Sequence, residues 1–447
     1  MFFAIDDTDS PRGMCTTYLM TEIIRRTKLK LSGLPRLVRL DPAIPYKTRG
    51  NGALSAEFIE GKIMKEKIGA IDGVETYIYD GVEPDEPELE EFLLEASSVV
   101  YDLADLEDTN TNPGIVVSMR RPPEDFYWRA VREEVDLNDA IRVLESVGAR
   151  YLGIKNSRGL IGSAAALSWV PRVQTYELIF YRNTPHPVPA DIKMRVATEI
   201  DKIPGTFNNV DTANRHPSIF PREKTPVLAG VRSTMQDTLL ESALKVFESN
   251  RIAFDRYLLY RTNQASDDHI IHNPSDLSEG KSYEIVAVVE SFPRVIRGSH
   301  YFVSARWMNH LVQLAAFEPT KEFRRIFREL RPGDTGRFYG TFSNNCLAVE
   351  KMQLLSVSSI YLRHPPACSS CGSKMKNVGS RIYSCPECGN TSNVPEYARV
   401  PRNLKPGYYD VPVAARRHLS RPFSLFLKEA GTSGEESSGF KKEALIH

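Results

Sequence analysis

The amino-acid sequence predicts a multidomain α+β protein, and three observations carry that expectation. At 447 residues the chain is long enough for about three domains with substantial cores. From about Gln174 onward, strand and helix patterns succeed one another in two distinct orders, first β-α-β-β-α-β and then three strands, a helix and two strands. Beyond them, two C-x-x-C pairs stand thirteen residues apart. The composition, 41% hydrophobic and 26% charged, is that of an ordinary globular chain. Six cysteines in so long a chain are no disulfide framework. The apolar start is too short for a signal-peptide core, and the longest apolar stretch, Leu160 to Val170, is too short and too rich in Ala, Ser and Gly to cross a bilayer. A cytoplasmic protein without a membrane partner is expected.

The N-terminal region reads as α/β. Phe2 to Ile5 forms a short buried strand, and Leu19, Met20, Ile23 and Ile24 recur at helical spacing, so Asp6, Asp7 and Asp9 fall in a strand-to-helix turn, where ligands sit in α/β proteins. Three carboxylates this close repel one another and favour a bound cation, and an all-oxygen ligand set suits Mg2+ better than Zn2+. Magnesium in such a turn usually accompanies a phosphate, which the N-terminal N–H groups of the next helix would meet, with Gly13 allowing close approach and Thr16 in or near the first turn. The same residues also read as an Asp-rich turn that caps a helix. Neither a Walker-A loop nor a kinase Gly-rich loop is present.

Further on, Leu37 to Leu40 reads as a strand leading into a loop with Lys47 and Arg49 interleaved with Gly50, Asn51 and Gly52, either an anion-binding loop or a solvated hairpin turn. Asp80 to Asp108 holds 12 acidic residues and no Lys or Arg, the pattern of a solvated face. Thr111 to Gly114 is a turn before the strand Ile115 to Val117. Arg158 and Gly159 precede an Ala-rich helix, a second junction that either holds phosphate or merely punctuates the chain.

The β-α-β-β-α-β order runs through Tyr176–Tyr181, Ala190–Ile203, the polar approach Phe207–Asp211, Val227–Val231, Thr234–Ser249 and Arg256–Arg261, and is that of a ferredoxin-like unit. The second order, from Ser282 to Val357 with a helix over Lys321 to Leu330, is that of an OB-fold β-barrel, whose usual ligand is an oligonucleotide. Tyr301, Trp307 and Tyr339 are candidates for base stacking, although aromatics in strands more often belong to the core. Cys368, Cys371, Cys385 and Cys388 have the spacing of a zinc ribbon with four thiolate ligands and no open catalytic position. From Arg363 to Lys428 there are 11 Lys or Arg against 3 acids, the expected footprint of a nucleic-acid partner. The Gly, Ser and Glu content from Glu429 predicts a disordered tail.

The stretches Ile5–Leu19, Ile44–Ala53, Thr111–Gly114, Arg158–Gly162, Thr206–Asp211, Ala316–Phe323 and Ala415–Pro422 together resemble the archaeal 2-agmatinylcytidine synthetases of isoleucine tRNA, and the resemblance runs nearly end to end. It implies an ATP-dependent cytidine/threonine kinase-like domain over residues 1–171, then a ferredoxin-like domain at 172–278, an OB-fold at 279–357, a zinc ribbon with basic segment at 358–428 and a tail at 429–447. It also implies an enzyme that uses ATP and agmatine to modify the wobble cytidine of an isoleucine tRNA with anticodon CAU, so that the tRNA reads AUA. On that resemblance Asp6, Asp7 and Asp9 serve Mg2+ and ATP, Lys47, Arg49 and Arg158 the phosphates, Thr16 is an autophosphorylated threonine and Asp211 meets agmatine. The acidic stretch near Asp80 to Glu95 has no counterpart in it. Two other classes fit the same residues: a non-catalytic RNA-binding protein built on the barrel and ribbon, and an ATP-dependent small-molecule ligase. The ATP site, all before residue 172, and the basic C-terminal third are expected to be separable.

Overall fold

The structure, a computed structural model, describes residues 1–48, 50–183, 187–221 and 224–432. Arg49 and residues 433–447 lie outside the described residues; of the tail expected from Glu429, the first four residues instead belong to the helix Phe423–Thr432.

The first strand, Phe2–Asp6, runs antiparallel between Gly52–Ile71 and Gly114–Ser118, with Ile5 opposite both Leu54 and Ile115 and Asp6 opposite Gly114. Its side chains alternate between two cores, as the pleat demands. Phe3 and Ile5 face the helices Thr16–Arg26 and Glu86–Leu103, where Phe3 meets Phe92 at 5.3 Å, while Ala4 faces the helix Gly159–Ser168. The acidic stretch resolves into the end of the strand Val74–Val82 and the outer face of the Glu86–Leu103 helix, which Asp85 and Glu88 open with a capping box.

The expected ferredoxin-like unit is not detached from this region. Its strands Thr175–Tyr181, Thr206–Phe207, Val227–Ser233 and Arg256–Thr262 lie in the spatial order second, third, first, fourth. The fourth pairs in parallel with Arg36–Arg39, Arg261 opposite Arg36, so both regions share one 11-stranded sheet. Arg256, only 4% exposed, secures the junction by pairing with Glu22 and, at 2.7 Å, with Asp72. Phe180 stacks on Phe247 of the helix Leu239–Ser249 at 4.0 Å beneath this half of the sheet.

Five strands, Ser282–Val289, His300–Trp307, His310–Ala316, Thr335–Ser343 and Cys346–Ser356, close into a barrel, and Phe323 and Phe327 of the helix Glu322–Arg328 are buried in its core. Trp307 is buried in that core, and Tyr339 is covered by Phe423 and Lys351, so neither offers a free face; Tyr301 is half-buried. The cations of the short helix pair with nearby acids: Arg324 and Lys321 with Glu318, Arg325 with Glu322, Arg328 with Glu329. The cysteine ribbon stands on a two-stranded stem, Ile360–His364 with Glu396–Val400.

After the stem the chain does not leave as a basic tail. Gly407–Asp410 adds a strand beside Cys346–Ser356, and the segment from Val411 to Leu425 runs back between the barrel and the large sheet. Lys351, 1% exposed, donates to Asp267 at 2.5 Å and to the Arg421 carbonyl at 2.8 Å, while the Arg421 N–H donates to Asp267 at 2.7 Å. Ala265 and Asp267 donate their N–H groups to the carbonyls of His418 and Leu419. The expectation that everything after residue 358 separates from the rest is therefore corrected: the ribbon is an appendage, but the segment after it is a strap joining barrel and sheet.

His364 and Glu396 face each other at the top of the stem, so replacing residues 365–395 with an Asn-Gly turn removes the ribbon without cutting the strap. That deletion should leave the melting temperature within a few degrees, whereas a stop after Lys405 should lower it by at least about 5 °C, because Lys351 loses partners and Leu419 and Leu425 lose their burial. Equal melting temperatures for the two variants, measured by calorimetry, would remove the strap's structural role.

Candidate functional site

Asp6 ends the first strand, and Asp7 follows in the left-handed region at φ 58°, which turns the chain across the sheet edge. The turn is clamped from several sides. The Asn112 N–H donates to the Asp7 carbonyl at 3.1 Å, the Thr111 hydroxyl to the Asp9 carbonyl at 2.8 Å, and the Ser10 hydroxyl reaches Asp108 at 2.7 Å and Asp105 at 3.1 Å. The Gly159–Ser168 helix packs end-on against it. A Cβ on Gly159 would lie 2.3 Å from the Gly114 nitrogen, and one on Gly162 would lie 1.9 Å from Asp6 Oδ2. The carboxyl group of Asp6 therefore occupies the space that a side chain at 162 would fill.

Enclosure and the neighbouring charge of Asp7 push the Asp6 carboxyl up to about 8. Burial raises Asp7 to about 6, opposed by Arg158, which contacts it through Nη2 at 2.9 Å and Nε at 3.2 Å. Asp9 plays a different part: its Oδ1 accepts from the Thr16 N–H at 2.6 Å and from the Thr16 hydroxyl at 2.9 Å. Thr16 is the first residue of its helix, so Asp9 caps that helix. The Thr8 hydroxyl donates to the Thr16 hydroxyl at 3.0 Å.

A cavity opens over these groups. Asp6, Asp7, Asp9 and Thr16 form one side, Lys47 and Arg158 supply cations, and Leu40, Ile44, Ala130, Val135 and Ile161 form an apolar wall with Tyr46 at its mouth. Arg158 lies over the Tyr46 ring at 5.5 Å, and Lys47 donates to the Pro42 carbonyl. A second cavity adjoins the first and shares Asp9, Thr16, Thr48, Gly50 and Gly52 with it. Its other walls carry Arg39, Glu177 and Arg232 from the sheet and Ala414 and His418 from the strap. Glu177 is 3% exposed, 3.2 Å from Arg232 and 3.8 Å from Arg39.

The four ribbon cysteines converge. Their sulfurs lie within 4.8 Å of one another, with Cys371 3.4 Å from Cys385 and Cys368 3.5 Å from Cys388. The two knuckles repeat each other: Gly372 at φ 73° donates to the Cys368 carbonyl at 2.8 Å, and Gly389 at φ 72° donates to the Cys385 carbonyl at 3.0 Å.

Comparison with known proteins decides what this arrangement belongs to. Residues 2–156 match the family model of the TiaS TCKD domain and residues 157–269 that of the TiaS FLD domain. The isoleucine-tRNA 2-agmatinylcytidine synthetase TiaS of Thermoplasma volcanium is 46% identical, over 95% of this chain and 97% of the relative. The chain belongs to the TiaS family. The crystal structure of a complex of TiaS with its isoleucine tRNA and ATP matches with a TM-score of 0.80 at 32% identity, covering 98% of both chains. That of a complex of TiaS with the tRNA, AMPCPP and agmatine matches with a TM-score of 0.77 at 30% identity, covering 95% of this chain and 96% of that one.

Within this TiaS chain the structure gathers Asp6, Asp7, Asp9, Thr16, Lys47 and Arg158 at one cavity, as expected from the sequence. Two expected residues lie outside both cavities. Gly13 has open space where a Cβ would go, and the close approach belongs to Gly159 and Gly162. Asp211 accepts from the Asn214 N–H at 3.0 Å, the Asn214 side chain and the Ala414 N–H at 3.2 Å. Lys47 lines the first cavity while its ammonium donates to the Pro42 carbonyl. Missed by sequence reasoning were Gly162, whose signal is a glycine inside a helix, and Glu177, whose signal is an acid inside an apolar strand. Glu133, Glu134 and His418 left no local signal.

Gly162→Ala should displace the Asp6 carboxyl and reduce ATP turnover by at least about tenfold, while Gly13→Ala, which meets nothing, should retain it. Steady-state ATP consumption with tRNA and agmatine present measures both; equal rates would show that Asp6 need not stay where it is.

Proposed function

We propose that this chain ligates agmatine to C2 of the wobble cytidine of an isoleucine tRNA with anticodon CAU at the expense of ATP, in the cytoplasm, so that the tRNA reads AUA. The end-to-end similarity to TiaS proteins carries the reaction, and the two cavities with one shared wall carry its division into steps. The 2-oxo group of cytosine is a poor leaving group, so it is activated as a phosphoryl ester before the amine displaces it.

ATP binds in the first cavity, its base against the apolar wall and its phosphates toward Lys47 and Arg158. Asp6, Asp7 and Asp9 hold Mg2+. The donor set fits: all three groups are carboxylates, and burial, with the charge of Asp7 beside Asp6, makes a divalent cation a favourable replacement for the protons of Asp6 and Asp7. Bound there, Mg2+ neutralises phosphate charge and fixes phosphate geometry. Thr16 donates its hydroxyl hydrogen to Asp9, which is therefore placed to take that proton when Thr16 accepts a phosphoryl group. Agmatine and the activated base meet in the second cavity, where Glu177 and Asp9 supply negative charge for the dication in place of Asp211.

The barrel, with its helix between the third and fourth strands, is the OB-fold, and the 172–278 region is ferredoxin-like. Cys368, Cys371, Cys385 and Cys388 would hold Zn2+ in the ribbon: their sulfurs all lie within 4.8 Å of one another, with three pairs at 3.4–3.6 Å, a spacing four thiolate ligands can share around one ion. Lys374, Lys376 and Arg381 are exposed on the ribbon and serve RNA phosphates. Among the described residues no helix is long and apolar enough to cross a membrane.

Mass analysis of tRNA nucleosides after incubation with ATP and agmatine tests the reaction. An agmatine-sized adduct on cytidine that needs both co-substrates is expected; RNA binding without ATP turnover would select a binding protein, and full turnover without RNA a small-molecule ligase. Protein labelling from γ-labelled ATP should disappear in Thr16→Ala with the fold intact, and persistence of the label would move the acceptor elsewhere.

The carboxyl shifts predict a pH signature. Asp6 and Asp7 are raised, so the folded state holds their protons more tightly than the unfolded chain does. Their contribution to stability is complete below about pH 4 and is lost as pH rises through about 6 for Asp7 and about 8 for Asp6. Mg2+ with a non-hydrolysable ATP analogue should therefore raise the melting temperature by an increment that grows from pH 6 to about pH 8. Thermal-shift curves should lose that growth in Asp6→Asn; a pH-independent increment in the unaltered protein would place the cation elsewhere.

A further inference from the structure

The second cavity contains a side chain that the scheme above does not use. His418 arrives from the C-terminal strap, far from the other lining residues in sequence, and is fixed at both ends. Its carbonyl accepts from the Ala265 N–H at 2.9 Å, and its ring Nδ1 lies 2.9 Å from Gln264 Oε1. The orientation of that amide is set by its other neighbours. Arg232 Nε, which only donates, lies 3.0 Å from the same Oε1, and the Gln264 NH2 group donates to the Glu177 carboxylate. Oε1 is therefore an acceptor toward His418, Nδ1 carries the hydrogen, and Nε2 carries the lone pair.

The Nε2 edge of the ring faces the wall between the two cavities. A Cβ on Gly50 would lie 3.2 Å from Nε2 and 3.1 Å from Cδ2, so a larger residue there would press on the ring. Among the described residues, the charged groups around the ring are Arg39 and Arg232, with Glu177 bonded through Gln264 and Asp9 across the cavity. Arg39 first, then enclosure and Arg232, hold the imidazole well below its ordinary value, so it is neutral at working pH.

We propose that His418 Nε2 is the base that takes the proton from the agmatine nitrogen as it bonds to C2 of the activated cytidine. The inference rests on the function proposed above. Agmatine reacts as the free amine, its ammonium having lost one proton to water. The nitrogen lone pair forms the N–C2 bond, the C2–O bond to the phosphoryl oxygen breaks, and inorganic phosphate departs with that electron pair. The alkylated nitrogen is then cationic, and its proton passes to Nε2, which returns it to water. The phosphoryl group that enters with the base offsets the charge of Arg39 and Arg232, so the ring becomes a better base only when the activated substrate is present.

His418→Asn separates this role from a structural one, because the amide NH2 of asparagine reproduces the Nδ1–H donor to Gln264 and removes Nε2. With the full chain, tRNA and γ-labelled ATP, phosphate transfer without agmatine should stay within about threefold of the unaltered protein, whereas agmatine ligation should fall by on the order of 10²-fold or more. Added imidazole should restore part of the ligation rate in His418→Gly without changing phosphate transfer. Ligation at the unaltered rate, or phosphate transfer and ligation falling by the same factor, would overturn the assignment. Failure of the unaltered protein to form any adduct would instead overturn the proposed function itself.

Discussion

The packing of the Asp6 carboxyl against Gly162 is the constraint from which the rest of the site follows. The Asp6 carboxyl fills the space beside Gly162, 1.9 Å from where a Cβ would lie, and burial with the like charge of Asp7 raises its affinity for a proton. Everything that holds the turn serves this placement. The strand Phe2–Asp6 is central, buried on both faces and flanked on both sides, and Asn112, Thr111 and Ser10 bind the turn to the segment after the acidic helix. Asp105 and Asp108 thus give the end of the acidic stretch a local purpose. They fix Ser10, and Asp105 pairs with Arg12 at 2.5 Å, whereas the outer face of the helix remains solvated.

The second organising feature is continuity. Because Arg36–Arg39 and Arg256–Thr262 pair in parallel, the N-terminal region and the region that follows it share one sheet, and the second cavity lies where that sheet, the acidic turn and the strap converge. Arg39 and Arg232 reach the cavity from strands on opposite sides of this junction. Relative movement of the two regions would break the Arg256 pairs with Glu22 and Asp72, at a cost of about 3–5 kcal/mol for a buried ion left unpaired. The cavity is built on a rigid frame.

The features legible in the sequence were those fixed by neighbours in the chain. The strand–Asp–helix turn, the glycine-bearing junction at Arg158 and the two cysteine knuckles each fit within about twenty residues, so spacing and residue type sufficed. The barrel strands were legible because each alternates or runs apolar between turn residues. The strand Gly52–Ile71 escaped because its middle, Glu60 to Glu66, is exposed on both faces and holds a glycine among charged residues, so no apolar alternation marks it. The shared sheet and the strap escaped for a different reason. Pairing of Arg36 with Arg261, or of His418 with Gln264, joins segments with no sequence relation, and a basic stretch looks the same whether its cations face RNA or are bonded inward as Arg416, Arg417 and Arg421 are. Asp211 misled for the same reason, as an acid beside a turn that proves to be satisfied by Asn214 and the strap.

The strap gives the two halves of the proposed reaction a physical connection. Lys351 of the barrel is bonded to Asp267 and to Arg421 of the strap, and the strap carries His418 and Ala414 into the wall of the second cavity. Thr16, on the opposite wall, faces both cavities, so a phosphoryl group moving from ATP toward the base crosses a single residue. The second cavity is thus walled by the sheet and by the strap, which is bonded to the barrel. Displacement of phosphate by an amine requires the base to be activated before the amine attacks, and in the proposed reaction the wall that carries His418 is the one tied to the barrel.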